Sequence, residues 1–224
     1  MKKILAITTA AAMMAGSAGA AIIAAWNVEG DSSPATLDAE TVAINLNGVP
    51  SLSRTGLGQN AGANSFNSNS WNITSTFDAG NKYISFTVAP ASGYQLSLTG
   101  LQYAINGSNT APRTGRWGYS DDGGANWTFQ TDWTILNPTP SSLATWDFED
   151  FTTANAVEFR FWAYGTSSIN GGTSAASGTV RIANISGNDL ILNGSVIPEP
   201  GTAGLVALGL FGARLLRRRM SSNG

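Results

Sequence analysis

Acidic side chains are spaced along this chain so that they could carry acid–base chemistry. Asp147 and Glu149 lie two positions apart, so on a strand they share a face with about 7 Å between their Cα atoms. Asp150 follows directly, and Glu158 lies on the next segment. Since glycosidases place two carboxyl groups about 5–9.5 Å apart across a groove, a glycoside hydrolase or lyase is one possible function. Acidic surface loops of this kind are, however, far commoner than catalytic pairs.

Two residue types that carry much of enzyme chemistry are missing. The 224-residue sequence contains no histidine and no cysteine, which removes the commonest general base, the commonest metal ligand and any thiol nucleophile. Zinc, haem and Ser-His or Cys-His catalysis are therefore disfavoured, whereas calcium could still be bound by aspartate and carbonyl oxygens. We predict a protein that is not an enzyme and that has no cofactor and no resident metal.

The segment from Ser120 to Trp127 reads Ser-Asp-Asp-Gly-Gly-Ala-Asn-Trp. Ser120, Asp122, Gly124 and Trp127 resemble the Asp-box, a Ser-x-Asp-x-Gly-x-x-Trp hairpin motif of sialidase-like propellers. An aspartate at such a turn accepts hydrogen bonds from backbone N–H groups, and glycine supplies positive φ. We therefore interpret the motif as structural. The alternatives are a sugar contact or a calcium site that uses Asp121 and Asp122.

Aromatic side chains provide the candidate ligand-binding surface. Trp162 and Tyr164 alternate with Phe159 and Phe161, so the two pairs lie on opposite faces of one strand. If the first pair is exposed, its rings could stack on sugar rings; the alternative is a central strand buried on both faces. The same two interpretations apply to three other tryptophans: Trp117, Trp133 and Trp146.

Residues 21–196 have the pattern of an all-β domain. Short alternating runs separated by Gly, Asn and Ser predict nine to eleven strands. The clearest are 157–164 and 82–88, and Gly100 is predicted to mark a bulge at which a long strand switches its inward face. The predicted fold is an antiparallel β-sandwich of jelly-roll type, with a partly open barrel as the alternative.

The charge of this domain limits its partners. It contains six basic and 13 acidic residues, a net charge of −7. An acidic domain without a basic stripe is a poor partner for nucleic acid. We therefore predict no nucleic-acid partner.

The N-terminus has the three parts of a secretory signal peptide. Met1-Lys2-Lys3 is basic, residues 4–14 are apolar, and Ala18-Gly19-Ala20 is a small-residue cleavage pattern. We predict a signal peptide over 1–20, cut after Ala20 or a few positions away, and hence export of residues 21–196.

The C-terminal tail, residues 197–224, has three parts as well. Pro198-Glu199-Pro200 is expected to form an exposed joint that cannot extend a strand. The uncharged run 201–213 would span about 20 Å as a helix, short of the roughly 30 Å hydrocarbon core. It is therefore either a marginal membrane span or a helix on the membrane surface. The basic residues behind it would stay on the cytoplasmic side: Arg214, Arg217, Arg218 and Arg219.

The order of these three parts resembles the PEP-CTERM sorting signal of proteins that Gram-negative bacteria export. The resemblance covers only residues 197–224 and is carried by Pro198, Glu199 and Pro200, the apolar run and the arginine cluster. It implies recognition of the motif by exosortase, a membrane enzyme, and removal of the tail. Because family members carry varied exported domains, it implies little about activity.

Together these features predict an exported, non-catalytic protein of the cell surface or extracellular matrix. It would be anchored in the inner membrane as a precursor and then held at the envelope or released. Its predicted partners are exosortase, the membrane and an extracellular polysaccharide. The alternatives are a secreted glycoside hydrolase or lyase and a calcium-dependent module.

Overall fold

The computed structural model describes residues 21–201, which contain 17 β-strands. In chain order the strands are β1 (Ala21–Trp26), β2 (Leu37–Asp38), β3 (Thr41–Val42), β4 (Ser51–Thr55), β5 (Gly58–Gln59), β6 (Ser65–Asn69), β7 (Tyr83–Val88), β8 (Tyr94–Tyr103), β9 (Ile105–Gly107), β10 (Pro112–Ser120), β11 (Thr128–Phe129), β12 (Trp133–Thr134), β13 (Ala144–Trp146), β14 (Phe151–Thr153), β15 (Val157–Ser168), β16 (Val180–Ala183) and β17 (Leu190–Pro198).

The strands form three antiparallel sheets. The first has the order β13-β8-β17-β1-β3, with β14 also paired to β8. The second has the order β11-β10-β15-β7-β4-β2, with β12 also paired to β10. A smaller sheet has the order β5-β6-β16-β9. The predicted all-β antiparallel class is confirmed.

The two large sheets pack face to face around one apolar core. Trp26 of β1 lies with its ring centroid 4.5 Å from that of Phe86 of β7, and Tyr103 of β8 lies 5.7 Å from Trp117 of β10. These pairs cross from the first sheet to the second. The core is therefore that of a sandwich, in which inward-facing residues of both sheets interdigitate.

The clearest alternating runs are correctly predicted. The run at 82–88 is β7, whose residues Ile84, Phe86 and Val88 are buried in the core. The run at 157–164 is the start of β15, which lies between β10 and β7 in the second sheet. Because β15 is central and aromatic on both faces, it holds the second sheet together.

The predicted bulge at Gly100 is confirmed. Opposite β17, Gly100 pairs with Asn193 but Leu98 pairs with Gly194, so one residue of β8 is extra. The buried positions of β8 accordingly switch from Leu96 and Leu98 to Leu101 and Tyr103. Across the bulge, Gly194 has φ of 153°, and a Cβ added there would meet the carbonyl oxygen of Ser97. The β8–β17 pairing therefore requires glycine at position 194.

The prediction that the chain leaves the sheet before Pro198 is wrong. Strand β17 continues through Pro198, which pairs with Tyr94, and the Glu199 N–H donates to the carbonyl oxygen of Gly93 at 2.9 Å. The described part of β1, on the other side of β17, pairs only as far as Ala21 and Gly194, so the position of the missing N–H of Pro198 faces no described strand.

Among residues 21–201, no helix is long and apolar enough to cross a membrane. The predicted signal peptide (1–20), the apolar run after Gly201 and the basic residues Arg214, Arg217, Arg218 and Arg219 lie outside the described residues.

Candidate functional site

The turn that resembles the Asp-box is closed by its own hydrogen bonds. Ser120 Oγ donates to Asp122 Oδ1 at 2.7 Å and accepts from the Gly124 N–H at 2.9 Å. Asp122 accepts from the Asn126 backbone N–H at 2.9 Å and from its side-chain amide at 2.7 Å. Trp127 Nε1 donates to the Gly124 carbonyl at 3.1 Å. The turn connects β10 and β11, which pair as an antiparallel hairpin.

The calcium hypothesis requires aspartate oxygens as ligands of the ion, but the carboxylate of Asp122 is engaged in hydrogen bonds inside the turn. Both oxygens of Asp122 already accept hydrogen bonds within the turn. Within residues 21–201, no group of three or more acidic side chains is placed to hold a metal. Asp122 thus makes its hydrogen bonds within the turn, to the backbone of Asn126 and to the side chains of Asn126 and Ser120.

The hydrogen bonds predict the titration of Asp122. Bonds from Asn126, first from its backbone and then from its side chain, and from Ser120 lower the pKa of this exposed carboxyl from 3.8 to about 2. The folded chain thus binds this proton less tightly than the unfolded chain. The stabilisation is present above pH 3.8 and is lost as the pH falls through about 2. Carbon-detected NMR titration should find the Asp122 midpoint near 2.

Asp122→Asn provides the control, because it cannot titrate and should remove this part of the acid-induced loss of stability. A carboxyl that titrates at its ordinary value would show that the turn is open in solution.

Of the two interpretations of Trp162 and Tyr164, the structure agrees with the strand that is buried on both faces and not with the sugar-stacking surface. Trp162 is 2% exposed and Tyr164 is 7% exposed. Together with Tyr83 they form a second cluster on the outer face of the second sheet, covered by Phe77 and Trp127. Burial and a hydrogen bond to a carboxylate raise the pKa of Tyr164 to about 12. Neither ring offers a free face to a ligand.

Two arginines, Arg160 and Arg116, complete this outer layer. The alternation of residues along the strands did not predict that they cover the aromatic cluster. The guanidinium carbon of Arg160 lies 4.0 Å from the centre of the Tyr83 ring and 4.4 Å from that of Trp127. Arg116 lies 4.4 Å from the Phe77 ring centre and pairs with Asp132. Cations on aromatic faces with their charges neutralised by acids form a stabilising cover.

The acidic residues considered for catalysis lie on different sheets. Glu158 lies on β15 of the second sheet, and both its oxygens accept from Arg160, at 2.7 and 2.9 Å. Asp147 and Glu149 are exposed and follow β13 of the first sheet. They share a side of the chain because Phe148 between them is buried. Glu158 is thus engaged with Arg160 on a different sheet from the two exposed acids.

A groove on another part of the surface has the character of a binding site. Its volume is about 280 Å³, and it lies between the loop 136–140 and the ends of β8, β9, β12 and β13. No residue lining it is charged. The walls consist mainly of aromatic, aliphatic and proline side chains, among them Tyr103, Ile105, Trp133, Leu136, Pro138 and Thr139.

Trp133 is the rigid wall of this groove. Its ring centre lies 5.4 Å from that of Tyr103 and 6.2 Å from that of Phe161. A Cβ added to Gly115 would lie 2.8 Å from the ring, so glycine at 115 allows the indole to lie on β10. A half-buried aromatic ring held in this way is preorganised for a flat apolar ligand face.

The floor and the rim of the groove complete it. Tyr103 is 3% exposed, and its hydroxyl is hydrogen-bonded to Gln130; burial raises the pKa of this phenol. Leu136 at the rim is 59% exposed. The groove can therefore bind the apolar face of a ring, and the residues that line it include no carboxyl group.

The predicted sorting motif lies at the edge of the described structure. Pro198 and Pro200 are exposed and Glu199 is half-buried. The motif begins with Pro198, the last paired residue of β17, so its side chains lie where the chain leaves the sandwich.

No protein-family model matches the sequence, and no curated protein matches it. Among solved structures, the crystal structure of the C-terminal domain of a chitobiase from Bacteroides fragilis is similar to this chain. The match has 13% sequence identity and a TM-score of 0.33, and it covers 74% of this chain and 97% of that one.

Proposed function

We propose that residues 21–196 form an exported, non-catalytic domain that binds polysaccharide in the groove beside Trp133. The observation that carries this proposal is the groove itself. A fixed indole and a buried phenol line an uncharged cavity of about 280 Å³. Sugar rings present flat C–H faces that pack on aromatic rings, while their hydroxyl groups remain free for polar partners such as Thr134 and Thr139.

A binding role is favoured over hydrolysis by the position of the acids. Glycoside cleavage needs a carboxyl group on each side of the scissile bond, and none lines this groove. Glu158 is engaged by Arg160 on the outer face of the second sheet. We therefore propose that the protein is non-catalytic. The alternative is a hydrolase or lyase, which cleavage of a polysaccharide by the purified protein would support.

The proposal includes how the protein reaches its site of action. We propose export through a signal peptide over 1–20, sorting by exosortase at Pro198-Glu199-Pro200 and a membrane anchor in the precursor. The support is the order of sequence features at the two ends. We also propose jelly-roll connectivity, because successive strands of the sandwich alternate repeatedly between its two large sheets.

Changing the groove should weaken polysaccharide binding at least about tenfold, the scale of losing one central aromatic contact. Trp133→Ala removes the wall, and Leu136→Ser changes only the exposed rim. Affinity gel electrophoresis of the full-length chain against a panel of neutral and acidic polysaccharides measures both. Phe129→Ala is the matched control, because Phe129 is a 39% exposed aromatic on the outer face of the second sheet.

Thermal unfolding of each variant separates loss of binding from loss of fold. Equal binding by wild type, Trp133→Ala and Leu136→Ser would place the ligand elsewhere. Failure of the folded wild type to bind any polysaccharide would reduce the role to a structural one.

Sorting is tested in the cell. With exosortase present, intact mass should show a protein that lacks its tail, found at the surface or in the medium. Without exosortase, the precursor should retain residues 197–224 and stay in the inner-membrane fraction. An identical mass and location in both strains would contradict recognition of the motif.

A further inference from the structure

A second, polar pocket adjoins the aromatic groove. Its volume is about 240 Å³, and it lies between β16 and the loops at 63–64, 139 and 184. It shares Thr139 with the groove, so the two are neighbouring halves of one surface. Its polar lining consists of Asn64, Thr139, Arg181 and Asn184.

Arg181 is half-buried in this pocket without a carboxylate partner among residues 21–201. Its Nε donates to Asn106 Oδ1 at 2.8 Å, and its two terminal nitrogens donate to no described protein atom. The other half-buried arginines differ. Arg116 and Arg160 are paired with acids, and all three nitrogens of Arg54 donate within the fold.

Asn106 holds both Arg181 and the loop with Thr139, the residue that lines both the groove and the polar pocket. Asn106 is 2% exposed. While its oxygen accepts from Arg181, its nitrogen donates to the Asn137 carbonyl at 3.0 Å and to Thr139 Oγ1 at 3.2 Å. One buried amide thus orients the guanidinium on β16 and the loop that separates the two halves. Positioning of this kind reduces the entropy that a ligand must overcome.

The remaining polar groups of the pocket are hydrogen-bond donors. Asn64 Oδ1 accepts from the Gly30 N–H and Asn184 Oδ1 accepts from the Ser186 N–H, so both amides have their NH₂ groups left over. Thr139 Oγ1 already accepts from Asn106, which leaves its O–H free to donate. With the Arg181 terminal nitrogens, the pocket offers more unused donors than unused acceptors.

We propose that this pocket binds the carboxylate of an acidic polysaccharide whose sugar ring lies in the groove beside Trp133. This rests on the proposed function and adds the chemical class of the ligand. A guanidinium fork matches a carboxylate in two parallel hydrogen bonds, and the two amides and the hydroxyl suit further oxygens. The domain has a net charge of −7, which repels anions in general. The Arg181 guanidinium, which has no carboxylate partner among residues 21–201, provides a local positive charge that attracts an anionic group in spite of this repulsion.

The test compares two forms of one polymer, polygalacturonate and its methyl ester, which differ in the charge of the carboxyl group. The full-length chain is titrated with both by calorimetry. We expect Arg181→Ala to weaken polygalacturonate binding at least about tenfold and to leave binding of the ester within about twofold. Arg181→Lys should recover part of the loss, since it keeps the charge without the fork.

The controls separate this inference from the function on which it rests. Trp133→Ala should weaken both polymers, and Arg113→Ala, an exposed arginine that lines neither pocket, should weaken neither. Equal binding of both polymers by wild type and Arg181→Ala would overturn the carboxylate site while the proposed function stands. Binding of neither polymer nor of any neutral polysaccharide would overturn both.

The test also covers another source of carboxylate. If polyglutamate binds as tightly as polygalacturonate and loses as much with Arg181→Ala, the pocket serves acidic peptides and the proposal is wrong. The proposal of an acidic polysaccharide is supported if polyglutamate binds more weakly than polygalacturonate and if Trp133→Ala does not change the binding of polyglutamate.

Discussion

Asp189→Ala is expected to lower the free energy of unfolding by about 2–6 kcal/mol. Asp189 is fully buried. Its two carboxylate oxygens accept from the Val28 N–H at 2.9 Å and the Ile185 N–H at 2.8 Å. Neither donor has another acceptor among the described residues, so alanine leaves two backbone N–H groups unpaired, each costing about 1–3 kcal/mol.

Urea denaturation of the full-length chain, followed by tryptophan fluorescence, measures this loss. Asp150→Ala is the matched control, because Asp150 is exposed and accepts no hydrogen bond from the described residues; its effect should stay within about 0.5 kcal/mol. A loss as small as that of the control would show that water replaces the carboxylate at Val28 and Ile185.

The pH dependence gives a second readout. Burial, opposed by the two backbone hydrogen bonds, raises the pKa of Asp189. The folded chain therefore binds this proton more tightly than the unfolded chain, so the group adds stability at acid pH and loses it as the pH rises through the folded pKa. The stability of wild type relative to Asp189→Asn, which cannot titrate, should increase from pH 7 to pH 4.5. A decrease over that interval would contradict a raised pKa.

The sequence predicted best what depends on neighbours in the chain. Alternation in 82–88 and 157–164 identified β7 and β15, because a period of two places every second residue in the core. A glycine within an apolar strand identified the bulge in β8, because a missing side chain permits the extra residue. The turn at Ser120–Trp127 was interpretable because all its hydrogen bonds are local.

What covers a face cannot be obtained from alternation. The pattern showed that Trp162 and Tyr164 oppose the core face, but Phe77 from a distant loop and Trp127 from the neighbouring hairpin bury them. Exposure of a sheet face is therefore decided by loops whose positions follow from tertiary packing.

The candidate site depends on long-range pairs for the same reason. Arg181 and Asn106 lie 75 positions apart and meet only because β16 pairs with β9. Trp133 was one of several equivalent tryptophans in the sequence. Its position in the groove follows from the pairing of β12 with β10 over Gly115. Pro198 illustrates the converse. Proline lies in β17 at a position that pairs with β8 on one side and faces no described strand on the other.

The second large effect on stability is expected at Arg54. This arginine lies on β4 with its guanidinium carbon 3.6 Å from the centre of the Phe66 ring. Burial lowers its pKa to about 10, so it stays charged at neutral pH. Its three nitrogens donate to five acceptors in the segment 33–35 and in β6: the carbonyls of Pro34, Ala35 and Asn67 and the hydroxyls of Ser33 and Ser68.

Arg54→Ala should therefore lower the free energy of unfolding by about 3–5 kcal/mol, since hydrogen bonds to a charged group contribute about 1.5–3 kcal/mol each and several are lost together. Arg54→Lys distinguishes the fork from the charge. One ammonium cannot reach acceptors on both segments, so lysine should recover less than half of the loss in urea denaturation. Arg113→Ala, at an exposed arginine, should change stability by no more than about 0.5 kcal/mol. Full recovery by lysine would mean that charge over the Phe66 ring, rather than the bridge between β4, β6 and the 33–35 segment, supplies the stabilisation.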